Sequence, residues 1–303
     1  MGVFLSFVTA VLFALCNIYN RKASRGITGL QAIVLTVTLN FVFFFPLGIM
    51  TKYVQGTPWP NFSTILLFML VGVLGTFLGR WGLFNSIALI GPSRASLIKN
   101  SAPLFTIVLA FLFFYQLPTL FSFIGVCTIV AGIWLSGWRK EEIPNSTPET
   151  ETLLRNRRWY KGIILGVAAA LLFATADIVR AVSILHYTDM IVATGFSTLG
   201  AWLAMLVFLT FRGELIARHR SHYKSLDKNL VLASCYAGAA QLTNFYALKM
   251  LFVPYVSALV ATAPIWTAVL SYLMLRDDEK FGAVFWMSLG LITGGACLII
   301  GFK

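Results

Sequence analysis

Ten apolar segments separated by short polar connections fill this chain of 303 residues, and their lengths admit essentially one kind of fold. They cover residues 3–20, 28–50, 64–88, 94–114, 118–137, 161–184, 188–211, 229–250, 255–274 and 281–301. A helix needs about 20 apolar residues to cross the roughly 30 Å hydrocarbon layer of a bilayer, and most of these segments reach or approach that length. Apolar side chains make up 58% of the sequence and charged ones 11%, which is more apolar surface than a water-soluble domain can hide. Each segment is expected to be helical, because a backbone facing lipid must satisfy its hydrogen bonds within itself. The expected fold class is an all-α membrane protein of ten transmembrane helices. The first segment has no basic region before it and no small-residue cleavage site after it, so it reads as a retained helix.

The net charge of +12 follows the same pattern. Alternate loops hold Arg21, Lys22 and Arg25, then Arg94, then Arg139, Lys140, Arg155, Arg157, Arg158 and Lys161, then Arg212, Arg218, Arg220, Lys224 and Lys228, then Arg276 and Lys280: 17 of the 23 basic residues. The other loops and helix ends hold Lys52, Arg180, Lys249 and Lys303, leaving Arg80 and Lys99 within segments. Basic residues mark the cytoplasmic side of short loops, which places both termini outside and supports an even helix count. The charge thus reads as membrane topology and not as a nucleic-acid surface.

Halfway along, residues 138–160 are polar and contain Pro144 and Pro148, so they read as a linker between halves at 1–137 and 161–303. The second half repeats the first. Leu12, Phe13, Ala14, Asn17 and Ile18 return 160 positions later as Leu172, Phe173, Ala174, Asp177 and Ile178. Ser96, Ala102, Pro103, Thr106, Val108 and Leu109 return 161 positions later as Ser257, Ala263, Pro264, Thr267, Val269 and Leu270. Gly125, Thr128 and Ala131 return as Gly290, Thr293 and Ala296, and Asn85 and Ala88 have counterparts in Asn244 and Ala247. With five helices in each half, an odd number, the copies must be inverted relative to each other, an arrangement found in secondary transporters.

With these motifs the chain resembles the drug/metabolite transporter superfamily, specifically its ten-helix members with two EamA-type halves. The resemblance rests on Ser96 to Pro103, its copy Ser257 to Pro264, and the glycine-bearing segments beginning near Gly125 and Gly290, and it covers nearly the whole chain. It implies two inverted five-helix repeats around a central cavity, alternating access without nucleotide hydrolysis, and export of small metabolites such as amino acids, sugars or organic ions. The acidic-basic turn usual after the fourth helix is replaced here by Tyr115-Gln116-Leu117-Pro118, whereas Arg276-Asp277-Asp278-Glu279-Lys280 keeps a version of it in the second half. The resemblance also implies cytoplasmic termini, opposite to the loop charges, which we follow. The expected location is the plasma (inner) membrane as a multi-pass protein.

Functional side chains are sought where polar groups enter hydrocarbon, since a charge at mid-membrane costs about 2.5–3.5 kcal/mol on insertion scales. Asp177 is the one carboxylate well inside a segment, and Arg180 lies one turn away on the same helix face. Asp177 is either a proton carrier or fixed counter-ion, or half of an internal pair. Arg80 and Lys99 lie toward the basic side, where two cations would attract an anionic or carboxylate-bearing substrate. The competing reading is that each snorkels to the interface. Helical spacing puts Ser96, Lys99, Asn100 and Pro103 on one stripe, with Pro103 and Pro264 as helix breaks. Asn17, Asn85, Gln241 and Asn244 are further candidates for substrate contact or for hydrogen bonds between helices. Trp266 and Tyr272 are candidates for stacking on a substrate or packing on a neighbour. The pairs Gly75/Gly79, Gly162/Gly166 and Gly290/Gly294 are expected to serve internal helix packing.

Enzyme readings find little support. His186, His219 and His222 form no metal-binding spacing, Cys16, Cys127, Cys235 and Cys297 show no paired spacing, and no glycine-rich phosphate loop is present. No cofactor and no metal are expected. The expected partners are a small-molecule substrate, protons if Asp177 carries them, and membrane lipids, whose headgroups the basic loops would contact. The expectation is an exporter of a small polar metabolite, amino acid-like or an organic anion. The alternatives are a flippase for a lipid-linked substrate, which would need a lateral opening, and a non-transporting scaffold subunit.

Overall fold

The computed structural model describes residues 1–23, 29–56, 58–90, 95, 98–115, 119–137, 149–212, 228–275 and 283–301, with the side chains of 149–157 and of some other helical positions excepted. All regular structure among them is helical. Ten helical elements follow: α1 (Gly2–Ala23), α2 (Gly29–Gln55), α3 (Phe62–Ile90), α4 (Ala102–Phe114), α5 (Leu120–Gly137), α6 (Glu149–His186), α7 (Met190–Phe211) and α8 (Lys228–Met250). The ninth, α9, is in two pieces, Val253–Val260 and Ala263–Leu275, and α10 is Ala283–Gly301. Five described stretches are long and apolar enough to span a membrane, and shorter apolar helices fall in α4, α5, α9 and α10. The protein is a multi-pass integral membrane protein.

Three features depart from the sequence expectations. First, α6 starts at Glu149, so the second half of the expected linker 138–160 is helix. Second, α3 is not uniformly α-helical: Gly72–Gly79 is a π-helix between α-helical Phe62–Val71 and Arg80–Ile90. Third, the breaks in the fourth and ninth segments fall just before the prolines, at Asn100–Ser101 and Ala261–Thr262, so Pro103 and Pro264 occupy the first turn of the resumed helix. Proline is favoured there because it has no N–H to leave unpaired and a preset φ.

Packing interlocks the halves. Helix α1 lies along α8, α3 along α6 and α7, α2 along α7 and α8, α4 along α6, and α5 along α10. Exchanging the halves turns the α1/α8 contact into α6/α3, α4/α6 into α9/α1, and α2/α8 into α7/α3, while α2/α7 and α5/α10 map onto themselves. The contacts therefore follow the pseudo-twofold axis of a two-repeat protein. The closest crossing is α3 on α7. A Cβ at Gly72 would overlap the Ser197 carbonyl, and one at Gly200 would stand 2.5 Å from Met69 Cα. Gly75 and Gly79 face Ala176 and Phe173 of α6, and Gly162 and Gly166 face Leu89, Ile90 and Ile98, as internal packing requires. Among the described residues nothing lies within 4 Å of a Cβ added at Gly290 or Gly294, so that pair corrects the expectation: it faces outward.

The ends of the helices tie alternate connections together. Tyr187 Oη donates to the Pro58 carbonyl at 3.3 Å, joining the turn after α6 to the turn after α2. Tyr53, Trp59 and Lys52 cluster at that end, with Lys52 Nζ 5.4 Å from the Trp59 ring centroid. Asp189 caps α7 there, accepting from the Ile191 and Val192 amides at 3.0 and 3.2 Å. At the opposite end Trp159 and Tyr160 stand exposed, and Ser86 donates to the Gly162 carbonyl. Aromatic residues at both ends fit the two membrane–water interfaces.

Candidate functional site

The π-segment sets the site's geometry. A π-turn carries one more residue than an α-turn, so it re-aims every side chain after it, and such segments cluster at functional positions. The first residue after Gly79 is Arg80. Gly79 packs against the Phe173 ring, 3.2 Å from an added Cβ, which puts Arg80 level with Phe173 on α6. Across that level the break before α4 presents Lys99 and Asn100. Lys99 Nζ lies 5.1 Å from the Phe173 ring centroid and 3.5 Å from Asn100 Oδ1. Cys16 of α1 and Lys99 are both within electrostatic reach of Arg80. Arg80 and Lys99 are partly accessible, and neither has a carboxylate at ion-pair distance among the described residues.

One turn further along α6 stand Asp177 and Arg180. They point away from the exposed Ile164, Ala168 and Leu171, and therefore toward the protein interior. Arg180 Nη1 donates to Asp177 Oδ1, and the guanidinium carbon sits 4.8 Å from the Phe245 ring centroid. Asn244 Nδ2 of α8 also donates to Asp177 Oδ1, at 3.3 Å. The carboxylate keeps 17% exposure against 6% for the Arg180 side chain, so the aspartate is the accessible half of the pair. Gln241 lies one turn back on α8 from Asn244, the amide that donates to Asp177. Both its amide atoms are buried without a hydrogen-bond partner, as are Asn244 Oδ1 and Arg180 Nε.

The structure thus gathers Arg80, Lys99, Asn100, Asp177, Arg180, Gln241 and Asn244 from α3, α4, α6 and α8. Asn17 joins from α1: it is exposed between buried Cys16 and Ile18, and its Nδ2 reaches Thr267 Oγ1 of α9 at 3.5 Å. Other sequence candidates fall elsewhere. Asn85 Nδ2 donates to the Trp81 carbonyl of its own helix at 2.7 Å. Trp266 packs edge-on against Phe7, ring centroids 6.5 Å apart. The Tyr272 side chain and Ser96 lie outside the described residues. Two residues that sequence reasoning passed over belong here, Phe173 and Phe245, which lie under two cations; away from them Asn40 of α2 is fully buried, and neither of its amide atoms has a partner among the described residues. Asn40 was findable as an amide in an apolar run, whereas the two phenylalanines look like any others.

A separate cavity of about 450 Å³ lies between α4 and α5. Leu104, Cys127, Val130, Ala131, Trp134 and Leu135 line it, and Trp134 Nε1 donates to Ser101 Oγ at 3.1 Å, next to Asn100.

Known proteins resemble this one. The model of the EamA-like transporter family matches residues 1–138 and 160–301. An uncharacterized transporter of Bacillus subtilis (strain 168), YvbV, is 31% identical over 139 residues, and that match covers 45% of this chain and 44% of the relative, under half of its length. A solved structure described only as the crystal structure of a protein superposes with a TM-score of 0.73 over 98% of this chain and 95% of that one, at 16% identity, so the likeness is one of fold.

Proposed function

This chain belongs to the EamA-like transporter family, and we propose that it is a secondary-active exporter of a small anionic or amino acid-like metabolite, working by alternating access in the plasma membrane. One observation carries the substrate reading. Arg80 and Lys99 face the interior without a carboxylate at ion-pair distance among the described residues, beside an Asp177–Arg180 pair that already neutralises itself. Unpaired cations in a low-dielectric interior are costly unless a ligand supplies the counter-charge. In this reading Arg80 and Lys99 receive the anionic group, and Asp177, held by Arg180 and Asn244, is the group a proton would reach if transport is proton-coupled. The halves, joined at α1/α8 and α3/α6, would rock about their shared axis, with the π-segment beside Arg80 as a pliable point. No enzymatic step is needed.

Counterflow in proteoliposomes tests the reading. Radiolabelled organic anions and amino acids exchanging across the membrane in the wild type, with at least tenfold loss in Arg80→Gln and Lys99→Gln, is the expected result. Exchange untouched by both substitutions would overturn it, and no exchange of any substrate would favour a scaffold role.

The cavity between α4 and α5 favours a second reading. A lipid-linked substrate could lay its chain along Leu104, Val130 and Leu135 while its headgroup reached Asn100 past Trp134. Headgroup flipping in lipid vesicles, with no exchange of soluble anions, would select it.

A further inference from the structure

We infer that the central site takes a doubly charged oxyanion on a short hydroxylated carbon skeleton, which deepens and rests on the transporter reading above. Charge balance comes first. Among the described residues, the middle of the helices holds Arg80, Lys99 and Arg180 against the single carboxylate of Asp177. Three cations against one carboxylate leave a net charge of two, and the two cations that make no ion pair among the described residues, Arg80 and Lys99, lie at the level of Phe173. A monoanion or a zwitterion would leave at least one cation without a counter-charge in a poorly solvated interior, where Coulomb energies are several times those in water. A dianion cancels both.

The neutral groups define the rest. Gln241 lies one turn from Asn244, which donates to Asp177, and its buried Nε2, a donor, and Oε1, an acceptor, have no partner among the described residues. A hydroxyl both donates and accepts, so one hydroxyl satisfies both amide atoms. Asn244 Oδ1, also buried and unpaired, offers a second acceptor one turn further on. The two cations without an ion-pair partner among the described residues, Arg80 and Lys99, receive both ligand charges at the level of Phe173. A zwitterionic amino acid brings no net charge to offset the two cations.

The shared chemistry could come from a hydroxy-dicarboxylate or from a phosphate monoester, and the assay separates them. Purified protein in nanodiscs is titrated with malate, glycerol 3-phosphate, succinate, lactate and glutamine, reading thermal stabilisation and dissociation constant. The expected result is at least tenfold tighter binding of malate or glycerol 3-phosphate than of lactate or glutamine, and several-fold tighter binding of malate than of succinate. The stronger of the first two identifies the oxyanion. In Lys99→Gln the ratio of malate to lactate affinity falls at least tenfold, and in Gln241→Leu malate falls to the level of succinate. Lactate or glutamine binding as tightly as malate in the wild type overturns the inference while leaving the transporter reading intact. Absence of binding by every anion overturns both. The wild-type comparison needs no variant to fold.

Discussion

Replacing glycine by alanine is expected to have opposite signs at Gly200 and Gly290, although each belongs to an apolar helix. At Gly200 the new methyl would stand 2.5 Å from Met69 Cα, where carbon atoms prefer about 3.5–4.0 Å. The obstacle is backbone, so no rotamer change relieves it, and α3 must draw away from α7 by about 1 Å. Overpacking of this kind costs about 1–3 kcal/mol, and the better helix propensity of alanine returns about 1 kcal/mol. A net loss of up to about 2 kcal/mol follows. Gly72→Ala acts at the same crossing, against the Ser197 carbonyl. Because one separation relieves both clashes, Gly72→Ala with Gly200→Ala should cost clearly less than the sum of the two. At Gly290 nothing among the described residues lies within 4 Å, so alanine there is neutral or stabilising by up to about 1 kcal/mol. Reversible unfolding in mixed micelles, followed by tryptophan fluorescence, measures all four proteins. Gly290→Ala destabilising as much as Gly200→Ala, or strict additivity at the crossing, would refute this account of α3 and α7.

Two further outcomes are expected. Asp177→Ala leaves Arg180 buried with only the Phe245 ring beside it, and should cost about 3–5 kcal/mol, whereas the double variant with Arg180→Met should recover much of that loss. A double-mutant cycle in the same unfolding assay checks it, and a coupling energy near zero would contradict the pairing. A reporter fused after Lys303 should be active only outside the cytoplasm, as the 17 basic residues of the alternate loops require, and cytoplasmic activity would invert the topology.

The helices were legible because a backbone in hydrocarbon has so few options, and the prolines announced the two breaks to within a few residues. The cluster was partly legible for a related reason: Arg80, Lys99, Asp177 and Arg180 are conspicuous wherever charge is expensive. What they touch was not. Phe173 and Phe245 are two of 26 phenylalanines, and only the fold selects them. The π-segment depends on how Gly72, Gly75 and Gly79 meet α6 and α7, a tertiary fact with no local signature. Gly162/Gly166 and Gly290/Gly294 share one spacing, yet the first pair is covered and the second is open, since spacing states that a close approach is possible and not that a helix is there. The start of α6 at Glu149 was hidden by its polarity, which the segment tolerates because helical hydrogen bonds do not require an apolar surround.

The interlocking of the halves also bears on how the chain is made. Synthesis delivers α1 to the membrane long before α8, the helix along which α1 lies, and α3 well before its neighbour α6. The first five helices must therefore wait in the bilayer with their mating faces against lipid, holding Arg80 and Lys99 before the helix that brings Asp177 has been translated. Assembly is a late, collective event, and a ribosome stalled anywhere in the second half would leave behind an intermediate suited to capture by an insertion chaperone or a membrane protease.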